Sequence, residues 1–318
     1  MPLPTVVLRR LVSAGTALSA LSALLAATAA AAAPQPLRFV LIPKVSHLWY
    51  DVVREGAEAA GAMIRQQTGR LTQIDYQPPA RSEVELQAEI LKEAIRSRPS
   101  GIMIDLLDAP RLRPLLEQAR RQGIPVNLFD SEPPDGLPLT SIGNDFCKQA
   151  RIASQRLVER LGGKGEVAIM QGVPTAPNHG IRVRCHQEVF ARHPGIKVVA
   201  TPIDQDSIAI AQQQALATMR LHPQLRGWVV ADAGGGIGIG RALQTLGRAG
   251  QVQVVGIDDL PEMMQLIRAG VVDSTSATKP RAQGYWSILN LWQQGLSAPT
   301  IERIDTGIVV EGPASRGG

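Results

Sequence analysis

The segment Leu37-Arg-Phe-Val-Leu-Ile-Pro43, followed by Lys-Val-Ser-His-Leu-Trp-Tyr50 and Asp-Val-Val-Arg-Glu-Gly-Ala-Glu-Ala-Ala60, decides the fold class. Its first part is an apolar run of strand length. Its last part carries one apolar stripe at helical spacing, formed by Val53, Ala57, Ala60 and Ile64. The segment therefore predicts a strand followed directly by a helix, which is the unit from which α/β proteins are built.

Polar and aromatic side chains stand between the predicted strand and the predicted helix, namely His47, Trp49 and Tyr50. In an open α/β sheet, the ligand crevice forms at the carboxyl ends of the strands. The chain has four Trp and three Tyr, and two of these seven rings are adjacent here. Both rings can simply pack in the core, but their place in a strand-to-helix loop favours a binding role.

The rest of the chain repeats this alternation of strand and helix. Further predicted strands cover 71–76, 101–105, 124–129, 165–171, 197–201, 227–231, 252–257 and 271–277. Predicted helices separate them, and one should open at a capping box formed by Ser82 and Glu85. Such alternation predicts parallel sheets with helices on both faces, and its repetition at half-chain scale predicts two α/β lobes.

Composition places the chain among globular proteins, with 318 residues, 44% hydrophobic and 19% charged. This length gives room for two domains. The net charge of +5 falls to +3, 31 basic against 28 acidic residues, when Arg9 and Arg10 are left out. So small a balance, without a stripe of Lys and Arg, excludes nucleic acid as an expected partner.

Residues 1–33 have the pattern of a secretory signal peptide. Arg9 and Arg10 form a positive start, 11–27 is apolar, and Ala30-Ala31-Ala32 is a small-residue cleavage site that makes Ala33 the new start. A membrane anchor is the alternative, which the Ala/Ser-rich composition and the cleavage pattern disfavour. The Arg pair leaves Sec and twin-arginine export both open. We expect the mature protein to be soluble and located in the periplasm.

The chain has two cysteines, Cys147 and Cys185. If the protein is exported, it folds in an oxidising compartment where disulfides form. They can form one disulfide or remain two buried thiols. Both alternatives stay open at this point, because the sequence does not show whether the two Cα atoms come within bonding range.

Four carboxylates directly follow predicted strands: Asp105, Asp130, Asp232 and Asp258. One such residue would merely cap the next helix, but four in the same structural place indicate a shared cleft. Ionised carboxylates accept hydrogen bonds and so suit the hydroxyl donors of a polyhydroxylated ligand. A cationic ligand is the alternative that the surplus of acids also suits. Arg182 would be the strong cation among them, although taken alone it is more simply a structural residue on a helix surface.

The run Gly234-Gly-Gly-Ile-Gly-Ile-Gly240 follows a strand and opens a helix, but it lacks the glycine spacing of the dinucleotide fingerprint. We interpret it as a loose helix start beside a ligand. The sequence has no nucleophile elbow, Walker loop or zinc-protease motif, and its five histidines have no metal-ligand spacing. It therefore predicts no enzyme activity, no cofactor and no metal.

Taken together, several segments resemble the periplasmic sugar-binding proteins of ABC importers, of the ribose-binding type. The resemblance covers essentially the whole mature chain and rests on His47 with Trp49, Tyr50 and Gly56-Ala57; Ile104-Asp105; Gly123-Ile-Pro-Val-Asn-Leu-Phe-Asp130; Ile142-Gly-Asn-Asp145; Gly172 to Arg182; Val254-Val-Gly-Ile-Asp258; and Ile304-Asp-Thr-Gly-Ile-Val-Val310. The chain departs from the family's pattern at Leu48, Ser131, Ala233 and Thr278, where the family commonly has Pro, Arg, Asp and Gln. These departures leave the identity of the sugar open.

The resemblance implies two Rossmann-like α/β lobes with parallel sheets, joined by a three-segment hinge that closes on ligand. The N-lobe would be 34–143 plus 279–305, and the C-lobe 144–278 plus 306–318. The residues that the resemblance and the strand ends place around the ligand are His47, Trp49, Tyr50, Asp105, Asp130, Ser131, Asn144, Arg182, Asp232, Asp258 and Thr278. The implied function is that of a monomeric receptor which binds a sugar or polyol for the membrane permease of an ABC transporter. A sensory protein that presents its ligand to a membrane sensor kinase is the alternative.

Overall fold

The computed structural model describes residues 35–297, 299 and 301–312, which contain nine helices and twelve strands. The predicted signal peptide lies outside these described residues. Within them, every helix is too short or too polar to cross a membrane.

The first of two sheets is six-stranded and fully parallel, with the strand order β11-β5-β4-β3-β1-β2. Its strands are β1 (Leu37–Ile42), β2 (Thr72–Tyr76), β3 (Gly101–Ile104), β4 (Val126–Phe129), β5 (Thr140–Gly143) and β11 (Arg303–Asp305). The central strands β3 and β4 are buried along their whole length. Burial on both faces explains why β3, and β4 apart from Asn127, are apolar without alternation.

The second sheet has the order β12-β10-β9-β8-β6-β7 and is parallel except for its edge strand β12, which runs antiparallel to β10. Its strands are β6 (Gly165–Met170), β7 (Ile196–Ala200), β8 (Leu225–Val230), β9 (Gln253–Ile257), β10 (Ser274–Ala277) and β12 (Val309–Glu311). The chain passes between the sheets three times: after β5, after β10 and after β11. The predicted fold class, α/β with two lobes that each hold a parallel sheet, is confirmed.

Helices cover both sheets. Those on the first sheet are α1 (Leu48–Thr68), α2 (Val84–Arg96), α3 (Ala109–Arg121) and α9 (Pro280–Gly295). Those on the second sheet are α4 (Phe146–Arg160), α5 (Pro177–Phe190), α6 (Ile208–Leu221), α7 (Gly235–Thr245) and α8 (Pro261–Arg268). Helix α9 packs so closely on α1 that a Cβ on Gly284 would overlap the carbonyl oxygen of Val53. This contact ties the segment after the second passage to the start of the chain.

Helix starts differ from the sequence expectations in two places. Trp49 and Tyr50 lie in the first turn of α1 rather than in a loop. His47 is the N-cap of this helix, and its Nδ1 atom accepts the Trp49 N–H at 3.2 Å. The predicted capping box is wrong: α2 has Glu83 at its N-cap without a side-chain cap bond, and that carboxylate pairs with Arg81 instead.

The glycine run before and within α7 is tightly packed rather than loose. A Cβ on Gly238 would lie 2.5 Å from the Ala211 Cβ on α6, and one on Gly240 would lie 2.6 Å from the Leu266 side chain. Contacts of this kind admit no side chain, so close helix packing explains these glycines.

The two cysteines form a disulfide between α4 and α5. The Cα atoms of Cys147 and Cys185 are 5.4 Å apart, which is within the usual range. Of the two alternatives that the sequence left open, the structure has the disulfide.

Candidate functional site

A cavity lies where carboxyl ends of strands from both sheets meet. Its lining residues are Lys44, His47, Trp49, Tyr50, Asp130, His179, Arg182, Asp206, Asp232, Ala233 and Asp258. Seven of the eleven residues predicted from the sequence are among them. The other four, Asp105, Ser131, Asn144 and Thr278, are buried behind this lining and hydrogen bond to it or to its supports.

The two aromatic residues of α1 form one wall of the cavity. Their rings meet edge to face, with centroids 5.1 Å apart and planes at 88°. Trp49 donates its Nε1–H to Thr278 Oγ1 at 3.0 Å, and the Tyr50 hydroxyl donates to Asp105 Oδ2 at 2.8 Å. Both polar tips are therefore held by the protein, which leaves the rings as apolar surface. Burial and the charge of Asp105 raise the pKa of Tyr50 well above its ordinary value, so its hydroxyl remains a donor.

Asp105 does not line the cavity because a buried lysine stands in front of it. Lys44 Nζ is 2.5 Å from Asp105 Oδ2, and Ser131 donates its hydroxyl to Asp105 Oδ1 at 3.0 Å. Burial lowers the pKa of Lys44, but the attraction of Asp105, Asp206 and Asp130 outweighs it and leaves that pKa raised. Lys44 is thus a charged donor at the cavity wall. The sequence prediction missed it, although it follows β1 much as Asp105 follows β3.

Asp130 faces the second sheet from the end of β4. Its Oδ2 accepts a 2.6 Å hydrogen bond from Asn178 Nδ2, and its Oδ1 lies 3.6 Å from Arg182 Nη2. The Oδ1 atom is buried and accepts no hydrogen bond from the described residues. The Oδ1 atom of Asp130 is therefore available as an acceptor.

Arg182 is not a surface residue: it is 2% exposed and is fixed by the second lobe. Its Nε donates to Gln149 Oε1 at 2.9 Å, and its Nη1 donates to the Ala231 carbonyl at 3.2 Å. Its guanidinium carbon lies 4.9 Å from the centroid of the Phe146 ring. Gln149 also accepts the Asn144 Nδ2–H at 3.0 Å, so Asn144 supports Arg182 from the first passage between sheets.

Asp258 stands at the end of β9 with a left-handed backbone, φ 63°. Thr278 donates both its N–H, at 2.9 Å, and its hydroxyl, at 2.5 Å, to Asp258 Oδ1. Burial raises the pKa of Asp258 to about 6, against the opposing effect of these bonds and of Arg182. Thr278 therefore orients Asp258 from the second passage.

Asp232 combines helix capping with a place in the cavity. Its Oδ1 accepts the N–H groups of Gly234 and Gly235, each at 2.8 Å, at the start of α7. Burial, followed by the nearby charge of Asp206, raises the pKa of Asp232 to about 7.

Asp206 and His179 line the cavity but were not predicted to bind ligand. Asp206 lies in a turn where it and Gln205 both have left-handed backbones, φ 61° and 59°. His179 Nδ1 accepts the Val173 N–H at 2.8 Å, which assigns the ring proton to Nε2. Burial lowers the pKa of His179 well below its ordinary value, so the ring is neutral.

This arrangement suits hydrogen bonding to a ligand rather than metal binding. Four carboxylates and the donors Lys44, Arg182 and His179 surround one cavity. Within the described ranges, one group of residues has the spacing of metal ligands, Cys147, Cys185 and Glu188, and its two cysteines are joined in the disulfide. His186 bonds to Ser154 and to the Val230 carbonyl, so it does not join His179 in a site.

Comparison with known proteins gives consistent results. A D-ribose/D-allose-binding protein of Pseudomonas aeruginosa is 27% identical over an alignment of 316 residues that covers 96% of each chain. An ABC transporter solute-binding protein of Burkholderia graminis C4D1M in complex with D-arabinose superposes with a TM-score of 0.80 and 26% identity, over 87% of this chain and 96% of that one. A solute-binding protein of Agrobacterium vitis bound to α-D-tagatopyranose has a TM-score of 0.80 and 26% identity, with 87% and 94% covered.

These findings confirm the resemblance noted in the sequence. Such proteins are substrate-binding proteins rather than enzymes, in agreement with the prediction of no enzyme activity. The model of the family described as "periplasmic binding protein domain" matches residues 39–296. With most of its length matched by that model, the chain belongs to the periplasmic binding protein domain family.

Proposed function

We propose that this protein is the solute-binding protein of an ABC importer and binds a neutral monosaccharide or polyol with four or more hydroxyl groups. The observation that carries the proposal is the set of four carboxylates, contributed by both lobes, around one cavity. Each carboxylate oxygen that faces the cavity needs a hydrogen-bond donor, and sugar hydroxyls supply donors without adding charge. The sugars named for the relatives, ribose, allose, arabinose and tagatose, carry several hydroxyls each.

The space between the lining side chains favours a small ligand. It measures about 270 Å³ with its opening to solvent included. A disaccharide would therefore have to separate the two walls further than a pentose, a hexose or a sugar alcohol.

Each wall has its own role in the proposed complex. Asp130 accepts from the N-lobe side, and Asp206, Asp232 and Asp258 accept from the C-lobe side. Arg182, Lys44 and the Nε2–H of His179 donate to ring and hydroxyl oxygens, and the Trp49 and Tyr50 rings cover the apolar face of the sugar. His47, Asp105, Ser131, Asn144 and Thr278 orient these groups. A sugar held in this way bridges both lobes and so stabilises their closed arrangement.

We further propose the lobes 34–143 plus 279–305 and 144–278 plus 306–318 as the two moving bodies, with the three passages between sheets as hinge. Export by the signal peptide 1–33 would place this monomer in the periplasm, where it delivers ligand to a membrane permease. The solute-binding proteins of ABC transporters among the relatives favour transport over the sensory alternative.

Thermal shift followed by calorimetry tests the proposal. The panel is D-ribose, D-allose, D-arabinose, D-tagatose, xylitol and the matched amino sugar D-glucosamine with D-glucose as its neutral control. A neutral ligand at 100 times its Kd should add about 2.7 kcal/mol of stability. Binding of amines alone would show that the acidic wall selects a cation and would overturn the neutral-sugar proposal, and an unshifted panel would overturn sugar binding.

A further inference from the structure

We infer that Asp204, a residue behind the cavity, keeps its proton at neutral pH and donates it to Asp232, and that this bond positions two ligand-facing carboxylates, Asp232 and Asp206. The statement that these carboxylates face a ligand rests on the proposed function. The protonation of Asp204 is independent of that function and can be tested without ligand.

The two carboxyl groups are buried next to the same glycine, Gly235. Asp204 is 0% exposed and Asp232 is 2% exposed. A Cβ on Gly235 would lie 3.2 Å from Asp204 Oδ2 and 3.3 Å from Asp232 Oδ2, so the two oxygens border one small space. Both Oδ2 atoms are buried, and no N–H or hydroxyl group of the described chain donates to either. Two buried carboxylate oxygens that border one space and have no other donor are stabilised by a proton shared between them.

The remaining oxygens of the pair are already occupied, which fixes where the proton sits. Asp232 Oδ1 accepts from Gly234 and Gly235, and Asp204 Oδ1 accepts the Asp206 N–H at 3.0 Å. Only the two Oδ2 atoms are left to share it. Two adjacent buried carboxylates cannot both be ionised without a large repulsion.

The surrounding charges favour this protonation. Burial raises the pKa of Asp204 well above its ordinary value, and Asp232 and Asp206 raise it further. The groups that face the pair are Asp206 from the same loop and the backbone N–H groups at the start of α7. Lys44, Arg182 and the neutral His179 line the cavity on its other sides. The charge of Asp206 raises the pKa of Lys44, so this cation interacts with Asp206, the neighbour of the Asp204–Asp232 pair.

The bond has a mechanical consequence for the cavity. Through Oδ1, Asp204 holds the turn in which Gln205 and Asp206 adopt left-handed backbones, and this turn directs Asp206 to the cavity. Through its proton, Asp204 holds Asp232, which caps α7 with its other oxygen. One buried carboxyl group therefore sets the positions of two acceptors on the C-lobe wall.

Urea unfolding of the ligand-free protein between pH 5 and pH 7 tests the shared proton, with the parent compared to Asp204→Asn. In this range the native pair retains a proton that the unfolded chain has released, so rising pH favours unfolding of the parent. The Asn amide reproduces both hydrogen bonds without titrating. The equilibrium constant for unfolding of the parent, divided by that of the variant, should therefore rise about tenfold per pH unit. A constant ratio would overturn the inference.

Two further variants serve as a control and as a replacement for Asp204→Asn in this test. Asp135→Asn removes an exposed carboxylate that does not line the cavity and should leave the ratio to the parent constant with pH. If Asp204→Asn does not fold, Asp232→Asn removes the other member of the pair and should weaken the same pH dependence, because its amide can donate to Asp204 without a shared proton. A pH dependence in Asp232→Asn equal to that of the parent would overturn the inference.

The positioning role is measured on a sugar from the panel that binds the parent. Asp204→Ala should raise its Kd at least tenfold, and Asp204→Asn should restore most of that loss. Equal loss in both variants would show that the amide does not replace the protonated carboxyl and would overturn the positioning role. If no sugar binds the parent, the proposed function fails while the unfolding result still decides the shared proton.

Discussion

Asn178 donates a 2.6 Å hydrogen bond from Nδ2 to Asp130 Oδ2, and this bond joins the two lobes at the wall of the cavity. Asn178 lies in the first turn of α5 on the second sheet, whereas Asp130 ends β4 of the first. Nearby, Thr175 donates its hydroxyl to the Leu107 carbonyl at 2.7 Å, also from the second lobe to the first. The lobes are thus held together partly by contacts of the protein with itself.

Removal of the Asn178 side chain should weaken ligand binding without removing a proposed ligand contact. A hydrogen bond to a charged group is worth about 1.5–3 kcal/mol. Asn178→Ala should therefore raise the Kd roughly tenfold to hundredfold, because the closed arrangement loses this bond. Calorimetry measures it, with Gln187→Ala on the exposed face of the same helix as control. A Kd within twofold of the parent would mean that the bond does not stabilise the closed form.

Asp258 should make binding weaker in acid. Burial raises its pKa to about 6, and a sugar hydroxyl donates best to the ionised form. Below about pH 6 the proton must leave when ligand binds, so the Kd rises as the pH falls, by up to about tenfold per unit from this group. Above pH 7 Asp258 is ionised and contributes no further change.

The variant Asp258→Asn isolates this charge, because Asn tolerates the left-handed backbone at φ 63°. At pH 8 its Kd should exceed that of the parent roughly tenfold to hundredfold. The two Kd curves should converge toward pH 5, where the parent is protonated as well. Calorimetry across this range decides it, with Asp135→Asn as the control. Parallel curves would show that Asp258 does not titrate with binding.

Strand-end positions predicted much of the cavity, because parallel strands bring their carboxyl ends to one edge whatever the loops do. Asp130, Asp232 and Asp258 were found in this way. The same rule could not tell that Asp105 is screened by Lys44, since 61 residues separate the two partners in the chain. It also missed Asp206, which depends on a turn with two left-handed residues that are not glycine. Local composition carries no signal for such a turn.

The helix starts show a similar limit. A capping box at Ser82 and Glu85 has the right residue types, yet Arg81 draws Glu83 into an ion pair and the helix begins at Val84. The low helix propensity of glycine was the sole basis for predicting a loose start of α7. The contact with Ala211 gives these glycines a packing reason that only the neighbouring helix reveals. Long apolar segments were therefore predictable, whereas features set by tertiary contacts were not.

The disulfide should contribute substantially to stability. It joins residues 38 positions apart, and closing a loop of this size lowers the entropy of the unfolded chain enough to add about 3–4 kcal/mol. The double variant Cys147→Ala/Cys185→Ala should lose stability by about that amount in urea unfolding. Reducing agent should destabilise the parent to a similar extent and leave the double variant unchanged. Equal unfolding midpoints for the oxidised parent and the variant would contradict this expectation.

Lys44 should be needed for folding stability as well as for the cavity wall. It is 1% exposed and pairs with Asp105, which is 0% exposed, so Lys44→Met leaves a buried carboxylate without its cation. Removing one partner of such a pair typically costs about 3–5 kcal/mol. The loss should shrink as the pH is lowered, because a protonated Asp105 needs no cation. The double variant Lys44→Met/Asp105→Asn should recover part of it at neutral pH, since the neutral amide needs no cation, and its oxygen accepts from one of the hydroxyls of Tyr50 and Ser131 while its NH2 donates to the other. Urea unfolding of the three proteins measures these differences, and a double variant that is no more stable than Lys44→Met would show that the unpaired charge is not the cause.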